Sequence, residues 1–253
     1  MLRTRVIPAL LLRDESLVKT VGFKDFTYVG DPANTVRIFN ELEVDELLFL
    51  DISATPEKRK PNLIVLSDIA NECFMPLGYG GGIASLDDAK QVFDVGFEKI
   101  ALNSSALNRP ELISEIARHC GSQALIVSID VKTNWLGKHT VRTLGNQKDT
   151  GLDPVVWAQQ AEQLGAGEIL LTSIDREGSY AGFDIELISA VTGSVSIPVI
   201  AHGGAGKVEH IREAVKVASA SAVALGSMVV FQKQSMGVLV NFPSTTELAE
   251  TLT

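Results

Sequence analysis

Ile197-Pro198-Val199-Ile200-Ala201-His202-Gly203-Gly204-Ala205-Gly206 is a short β-branched run that breaks on a glycine pair. Apolar runs of this kind are strands, and glycines directly behind them mark a tight turn or a close backbone approach. The arrangement has a counterpart in Met75-Pro76-Leu77-Gly78-Tyr79-Gly80-Gly81-Gly82-Ile83, with Pro76 and Pro198 separated by 122 residues. The same offset carries Glu46-Leu47-Leu48 onto Glu168-Ile169-Leu170, Gly81-Gly82 onto Gly203-Gly204, and Ser105 onto Ser227. One offset shared by several elements indicates an internal repeat. A half of four units has been doubled.

Working outward, further strand candidates are Arg5–Leu11, Glu46–Ile52, Met75–Tyr79, Lys99–Leu102, Ala124–Asp130, Glu168–Ile174, Pro198–Ala201 and Ala222–Leu225. Between them lie stretches of helical period: Asp31–Leu42, Asn62–Cys73, Leu86–Phe93, Arg109–His119, Pro154–Leu164, Ile185–Val191 and Val208–Val217, then Thr245–Leu252. Alternating βα units favour a parallel sheet, and eight of them in about 250 residues favour an α/β (β/α)₈ TIM barrel over an open doubly wound sheet. No linker-like tract divides the 253 residues, so the expectation is one domain over residues 1–253 with a two-fold half-barrel repeat.

Composition narrows the partners. With 45% apolar and 21% charged residues the chain can bury a large core, which excludes disorder. A net charge of −9 without a Lys/Arg run argues against nucleic acid or an anionic membrane. The apolar stretch Val6–Leu12 is far short of a membrane span and lacks a cleavage site. Cys73 and Cys120 make neither a disulfide framework nor a thiolate metal cluster, so the expected setting is the cytoplasm and no metal or cofactor is expected.

The repeat duplicates chemistry as well as fold. Gly81 and Gly82 follow the third strand, and Asn103 and Ser104 the fourth; Gly203 and Gly204 follow the seventh, and Gly226 and Ser227 the eighth. Glycine loops can turn backbone N–H groups onto an anion, so the paired loops imply a phosphorylated small molecule with a phosphate at each end. Tight strand-to-helix turns are the plainer reading of the same glycines. Asp130 closes the fifth strand, where barrels place catalytic groups, and is either a general acid–base or a loop-bonding Asp. Asp175 and Glu177 after the sixth strand are further candidate carboxylates. Arg5, Glu46, Lys99 and Glu168 open four strands at the other end. Pointing inward they would make a neutral paired ring; pointing outward, four separate solvated charges.

With Arg5-Val6-Ile7-Pro8, Gly30-Asp31-Pro32, Asp45-Glu46-Leu47, Phe49-Leu50-Asp51-Ile52, Gly80-Gly81-Gly82-Ile83, Asn103-Ser104, Gly121-Ser122-Gln123, Thr150-Gly151-Leu152-Asp153 and Leu170-Leu171-Thr172-Ser173, the chain resembles the HisF family, cyclase subunits of imidazole glycerol phosphate synthase. The resemblance runs to about Phe231. It implies a glutaminase docked on the strand N-terminal face, ammonia passing a charged gate and descending the barrel, and a two-phosphate substrate at the opposite mouth. On that resemblance Arg5, Glu46, Lys99 and Glu168 match the gate, Asp130 one of two catalytic aspartates, and Lys19 the lysine of the loop after the first strand. Glu98 and Gln123 match positions near the glutaminase interface.

The second aspartate of that pattern falls on Leu11, and leucine cannot transfer a proton. Asp14 stands three residues further on, Glu177 replaces an Asp, and His202 replaces a small residue. Together with the tail Val229-Val230-Phe231-Gln232-Lys233 to Asn241-Phe242-Pro243, these departures resemble HisF-like paralogues of acetamidino-sugar biosynthesis for surface polysaccharide. That likeness implies a HisH-like glutaminase partner, a separate amidotransferase, and an ammonia-channelling barrel that need not cyclise. The alternative is the cyclase of histidine biosynthesis, and a third reading is a phosphate-binding barrel that only activates its glutaminase. Cys73 and Cys120 read as packing residues, so glutaminase activity is not expected in this chain itself.

Overall fold

The computed structural model describes residues 4–232 and 237–252; Lys233 of the tail motif lies outside them. In chain order the elements begin with β1 (Arg5–Arg13), β2 (Ser16–Val21), β3 (Lys24–Gly30), α1 (Pro32–Glu41), β4 (Leu47–Asp51), α2 (Leu63–Glu72), β5 (Leu77–Gly80) and α3 (Leu86–Asp94). There follow β6 (Lys99–Leu102), α4 (Ser104–Asn108), α5 (Glu111–Cys120), β7 (Leu125–Thr133), β8 (His139–Thr143), β9 (Lys148–Asp149) and α6 (Pro154–Leu164). The last are β10 (Glu168–Ser173), α7 (Ile185–Thr192), β11 (Val199–His202), α8 (Val208–Arg212), β12 (Ala222–Leu225), α9 (Ser227–Val230) and α10 (Thr245–Leu252).

Eight strands pair in parallel in the order β1, β4, β5, β6, β7, β10, β11, β12, and β12 returns to β1. The sheet is therefore a closed (β/α)₈ barrel. Period-two alternation splits each strand between two layers. One side packs under the helices, where Phe39, Phe49, Ile100 and Ile169 are buried. The other fills the bore, where Ile7, Leu48, Ile126, Leu170 and Ile200 meet Ala9, Ala101, Ala222 and Ala224. Short residues in the bore let the strands close on large ones.

Helix starts follow local chemistry. Asp31, Asn62, Ser85, Asp153 and Asp184 each accept a hydrogen bond from a backbone N–H of the first turn, which satisfies donors the helix leaves free. Asp31 is thus a cap rather than the first helical residue of the expected Asp31–Leu42 segment. The expected Val208–Val217 helix is α only to Arg212 and continues as a π turn over Glu213–Val217. No helix among the described residues is long and apolar enough to cross a membrane.

Two strand expectations were too short. β1 runs past Leu11 to Arg13 and β7 past Asp130 to Thr133, because each continues into an antiparallel hairpin over the mouth. β2 and β3 turn back at Gly22-Phe23, with φ of 58° and 64°, the geometry of a two-residue primed turn. Glu46 sits one residue ahead of β4, not within it.

A mouth cavity and a charged ring at opposite ends of the barrel

The C-terminal ends of the strands surround a cavity of about 770 Å³. Register alone aligns its most polar wall. Thr172 of β10 stands opposite Asp130 of β7 on one side and His202 of β11 on the other. Asn103 Nδ2 donates to Asp130 Oδ2 at 3.0 Å and to the Ser128 carbonyl at 3.1 Å. Thr172, beside Asp130 in register, also lowers the pKa of the Asp130 carboxyl through its hydroxyl. Burial outweighs both effects and pushes the Asp130 carboxyl up to about 7. A carboxyl near neutrality can both take and give a proton at working pH, as general acid–base chemistry requires.

Leu11, buried, lines the same cavity between Val18 of β2 and Leu50 of β4. Asp14 does not compensate: it is exposed in the β1–β2 turn at φ 56°, away from the cavity lining. The sequence reading missed Asp51, which is buried on the cavity wall and accepts from Ser53 N, Ser53 Oγ and Ala54 N at 2.9–3.0 Å. Those bonds fix the β4–α2 loop. Its signal was present, an Asp at the end of a barrel strand, equivalent in kind to Asp130.

The two glycine pairs face different spaces. Gly81, Gly82, Asn103 and Ser104 line the large cavity. Gly81 has φ 130°, and a Cβ there would lie 2.5 Å from the Asp51 carbonyl oxygen, so only glycine fits. Gly203, Gly204, Gly226 and Ser227 instead line a pocket of about 10 Å³ that shares Glu177 and His202 with the first as wall residues. The Ser104 hydroxyl is engaged with Thr143 Oγ1 at 2.5 Å and accepts from Leu144 N at 3.2 Å, and the Ser227 carbonyl accepts from Tyr180 Oη at 3.2 Å. The two glycine cradles expected from the sequence thus border separate spaces in this structure.

Glu177 and His202 stand between the two spaces, with Lys19 on the larger side. Lys19 lies on β2, not in an open loop, and its ammonium donates to the Ala9 carbonyl at 2.5 Å inside the barrel mouth. Burial lowers it to about 8, with the Glu177 charge opposing. Glu177 accepts from Thr20 Oγ1 at 3.0 Å and Phe23 N at 3.3 Å, which pins the tip of the β2–β3 hairpin; burial raises its carboxyl above the ordinary range. Asp175 belongs to neither pocket. It is exposed and accepts from Thr133 N at 2.8 Å, so it closes the end of β7.

At the opposite end the four charges meet. Arg5 donates to Glu46 at 2.7 Å and to Glu168 at 3.0 Å, while Lys99 lies 3.1 Å from Glu46 and 3.2 Å from Glu168. Two cations alternate with two anions around the foot of the bore. Burial opposes the charge on Arg5, yet Glu168 and Glu46 together hold its pKa above the ordinary value. Glu98, immediately before β6, and Gln123, two residues before β7, are exposed at the same end. Cys73 and Cys120 are partly buried against the core, and burial raises both thiols, opposite to the activation a nucleophilic cysteine needs.

The Asp130 environment gives a stability test. An unfolded Asp titrates near 3.9, so the folded state holds this proton more tightly, and its ionisation weakens folding progressively from about pH 4 to about pH 7. Asp130→Asn should match wild type in stability near pH 4 and exceed it by about 4 kcal/mol at pH 8, since about three pKa units at about 1.36 kcal/mol each are then fully expressed. Equal stabilities at both pH values would contradict a buried, proton-holding carboxyl.

A closed parallel barrel with its polar residues gathered at the strand C-termini defines the class of (β/α)₈ barrel proteins that bind small molecules at that face. Residues 5–235 match the family described as histidine biosynthesis protein. The chain is 46% identical over 248 residues to a Pseudomonas aeruginosa protein provisionally named imidazole glycerol phosphate synthase subunit hisF2, covering 98% of this chain and 99% of that one. It is 41% identical over 253 residues to a Vibrio vulnificus protein provisionally named as subunit hisF3, covering 100% and 97%. It is 44% identical over 238 residues to imidazole glycerol phosphate synthase subunit HisF of Caulobacter vibrioides, covering 94% and 92%. The chain belongs to the family of HisF-like imidazole glycerol phosphate synthase subunits.

Proposed function

We propose that this chain is an ammonia-conducting barrel that pairs with a HisH-type glutaminase and supplies ammonia for amidination of a sugar in polysaccharide biosynthesis by a separate amidotransferase. The observation that carries the conduit is the neutral ring of Arg5, Glu46, Lys99 and Glu168 beneath an aliphatic bore. Ammonia is small and neutral, so an apolar bore admits it at little cost, whereas ammonium would have to shed its hydration. Entry requires only that one ion pair of the ring separate. Docking at that end is supported by exposed Glu98 and Gln123 and by Phe74, 88% exposed in the loop that leads into β5. At the mouth, a phosphorylated ligand would rest its anion on the Gly81, Gly82, Asn103 and Ser104 loops. The sugar as acceptor rests on resemblance and on Leu11.

A second reading, the cyclase of histidine biosynthesis, is favoured by one observation: Asp130 is held near neutrality on the wall of a cavity large enough for a small-molecule substrate. Turnover of the two-phosphate histidine precursor with ammonium salts separates the two. Wild type should fall well below the range of about 1–10³ s⁻¹ usual for enzymes; turnover within it would remove the amidination reading. The same protein should stimulate a HisH-type glutaminase, and Glu98→Lys should suppress that stimulation without changing ammonium-dependent chemistry.

A further inference from the structure

His202 is the least explained group in the mouth. It is a buried imidazole that replaces a small residue of the family pattern, and it lines both pockets. Its Nδ1 lies 3.1 Å from Thr172 Oγ1. Thr172 in turn is the register neighbour of Asp130 across β7 and β10, close enough for its hydroxyl to lower the pKa of the Asp130 carboxyl. Strand register places the three side by side on β7, β10 and β11, so their alignment is a property of the barrel and not of a loop. We propose that Asp130, Thr172 and His202 form a proton relay, which moves a proton between the Gly226 side of the mouth and the Asp130 carboxylate.

The donor count dictates how the relay works. A threonine hydroxyl has one proton to give and lone pairs to accept. When Asp130 is ionised, Thr172 gives its proton toward the carboxylate and accepts from His202 Nδ1–H, leaving Nε2 unprotonated. When Asp130 is protonated, it donates to Thr172, Thr172 donates to Nδ1, and the ring carries its proton on Nε2. Passing from the first state to the second takes one proton in at Nε2. The Nδ1 proton moves to Thr172 Oγ1, and the Thr172 proton moves to Asp130. One proton enters, one arrives, and the imidazole is neutral in both states. Burial and the charge of Lys19 keep the ring neutral, pushing its pKa down to about 3.

Nε2 opens on the side the relay needs. A Cβ on Gly226 would lie 3.8 Å from His202 Nε2 and 2.9 Å from Lys19 Nζ, so both nitrogens border the space that glycine leaves. Lys19, itself lowered to about 8, is thus a proton source beside the port. The other charged groups lining the mouth are Glu177 after β10, Arg142 on β8 opposite Asp130, Lys132 on β7, Asp51 at the end of β4, and the more peripheral Arg13, Lys24 and Glu57. Arg142 is already paired with Asp149 at 2.9 Å. A mouth with Leu11 in place of one carboxylate thereby retains a second proton port, whichever acceptor the ammonia meets.

Nitrogen-15 NMR of the histidine rings tests this on the full-length protein between pH 5 and 9, with His202 assigned by loss of its signals in His202→Asn. Asp130 protonation is followed in parallel through its carboxyl carbon. The expected result is a switch of His202 from the Nδ1–H to the Nε2–H tautomer as pH falls through the Asp130 midpoint, without an imidazolium signature. Thr172→Val should abolish the switch and Thr172→Ser should keep it. Asp130→Asn should leave one tautomer across the range. A tautomer that ignores Asp130 titration, or a ring that becomes charged in step with it, would overturn the relay.

Discussion

Lys99→Met should lower the free energy of unfolding by about 3 kcal/mol, the scale for removing one partner from a buried ion pair. The ring holds two cations and two anions, and this change leaves Glu46 and Glu168 facing Arg5 alone. The Glu46 side chain is only 4% exposed, so water cannot screen the excess negative charge. Glu46→Leu combined with Lys99→Met should cost less than Lys99→Met alone, because it leaves a balanced Arg5–Glu168 pair. Urea unfolding of the two single variants and the double variant forms the cycle, and contacting residues should couple by about 1–3 kcal/mol. Additive losses below about 0.5 kcal/mol would mean that these are ordinary surface bridges. Buried ion pairs are often no more stabilising than apolar replacements, so recovery in the double variant would also show that folding alone does not require the ring.

The barrel was legible because its evidence is periodic and repeated: β-branched runs, amphipathic stretches and one offset shared by Glu46, Pro76 and Gly81. The charged positions were legible too, since four strand starts carry a charge, but only coordinates could show that the side chains meet. The hairpins were not. Ser16–Val21 and Lys24–Gly30 are joined by Gly22-Phe23, and phenylalanine at positive φ gives none of the Asn-Gly signal by which such turns are read. The missing hairpin explains the errors at the mouth. Lys19 was expected on a loop and is buried under Ala9; Glu177 was expected as a catalytic carboxylate and also anchors the hairpin tip. Asp175 shows the opposite failure, where a strand-end carboxylate binds a neighbouring backbone N–H and nothing in the sequence separates that use from catalysis.

Leu11→Asp should raise ammonium-dependent cyclase turnover by about 10²–10⁴-fold over wild type, the usual contribution of a positioned general acid–base group. Position 11 is suited to it by alternation: Ile7 and Ala9 face the bore two and one pleats below, and Leu11 continues that face into the cavity wall. Asp130 is already present there on β7, with a carboxyl held near 7, so one new carboxylate would complete a pair rather than begin one. The folding cost is set by burial, because Leu11 is 6% exposed and packed between Val18 and Leu50; a loss of about 1–3 kcal/mol is expected for placing a polar group in that contact. Leu11→Asn is the necessary control, since it carries the same polarity and nearly the same shape without a proton to exchange near neutral pH. It should lose similar stability and gain no turnover. Equal turnover in the Asn and Asp variants would show that polarity at the mouth, and not proton transfer, limits the chemistry; no gain in a folded Leu11→Asp protein would mean that the mouth is shaped against the two-phosphate substrate, with its second glycine cradle closed behind Lys19 and Tyr180.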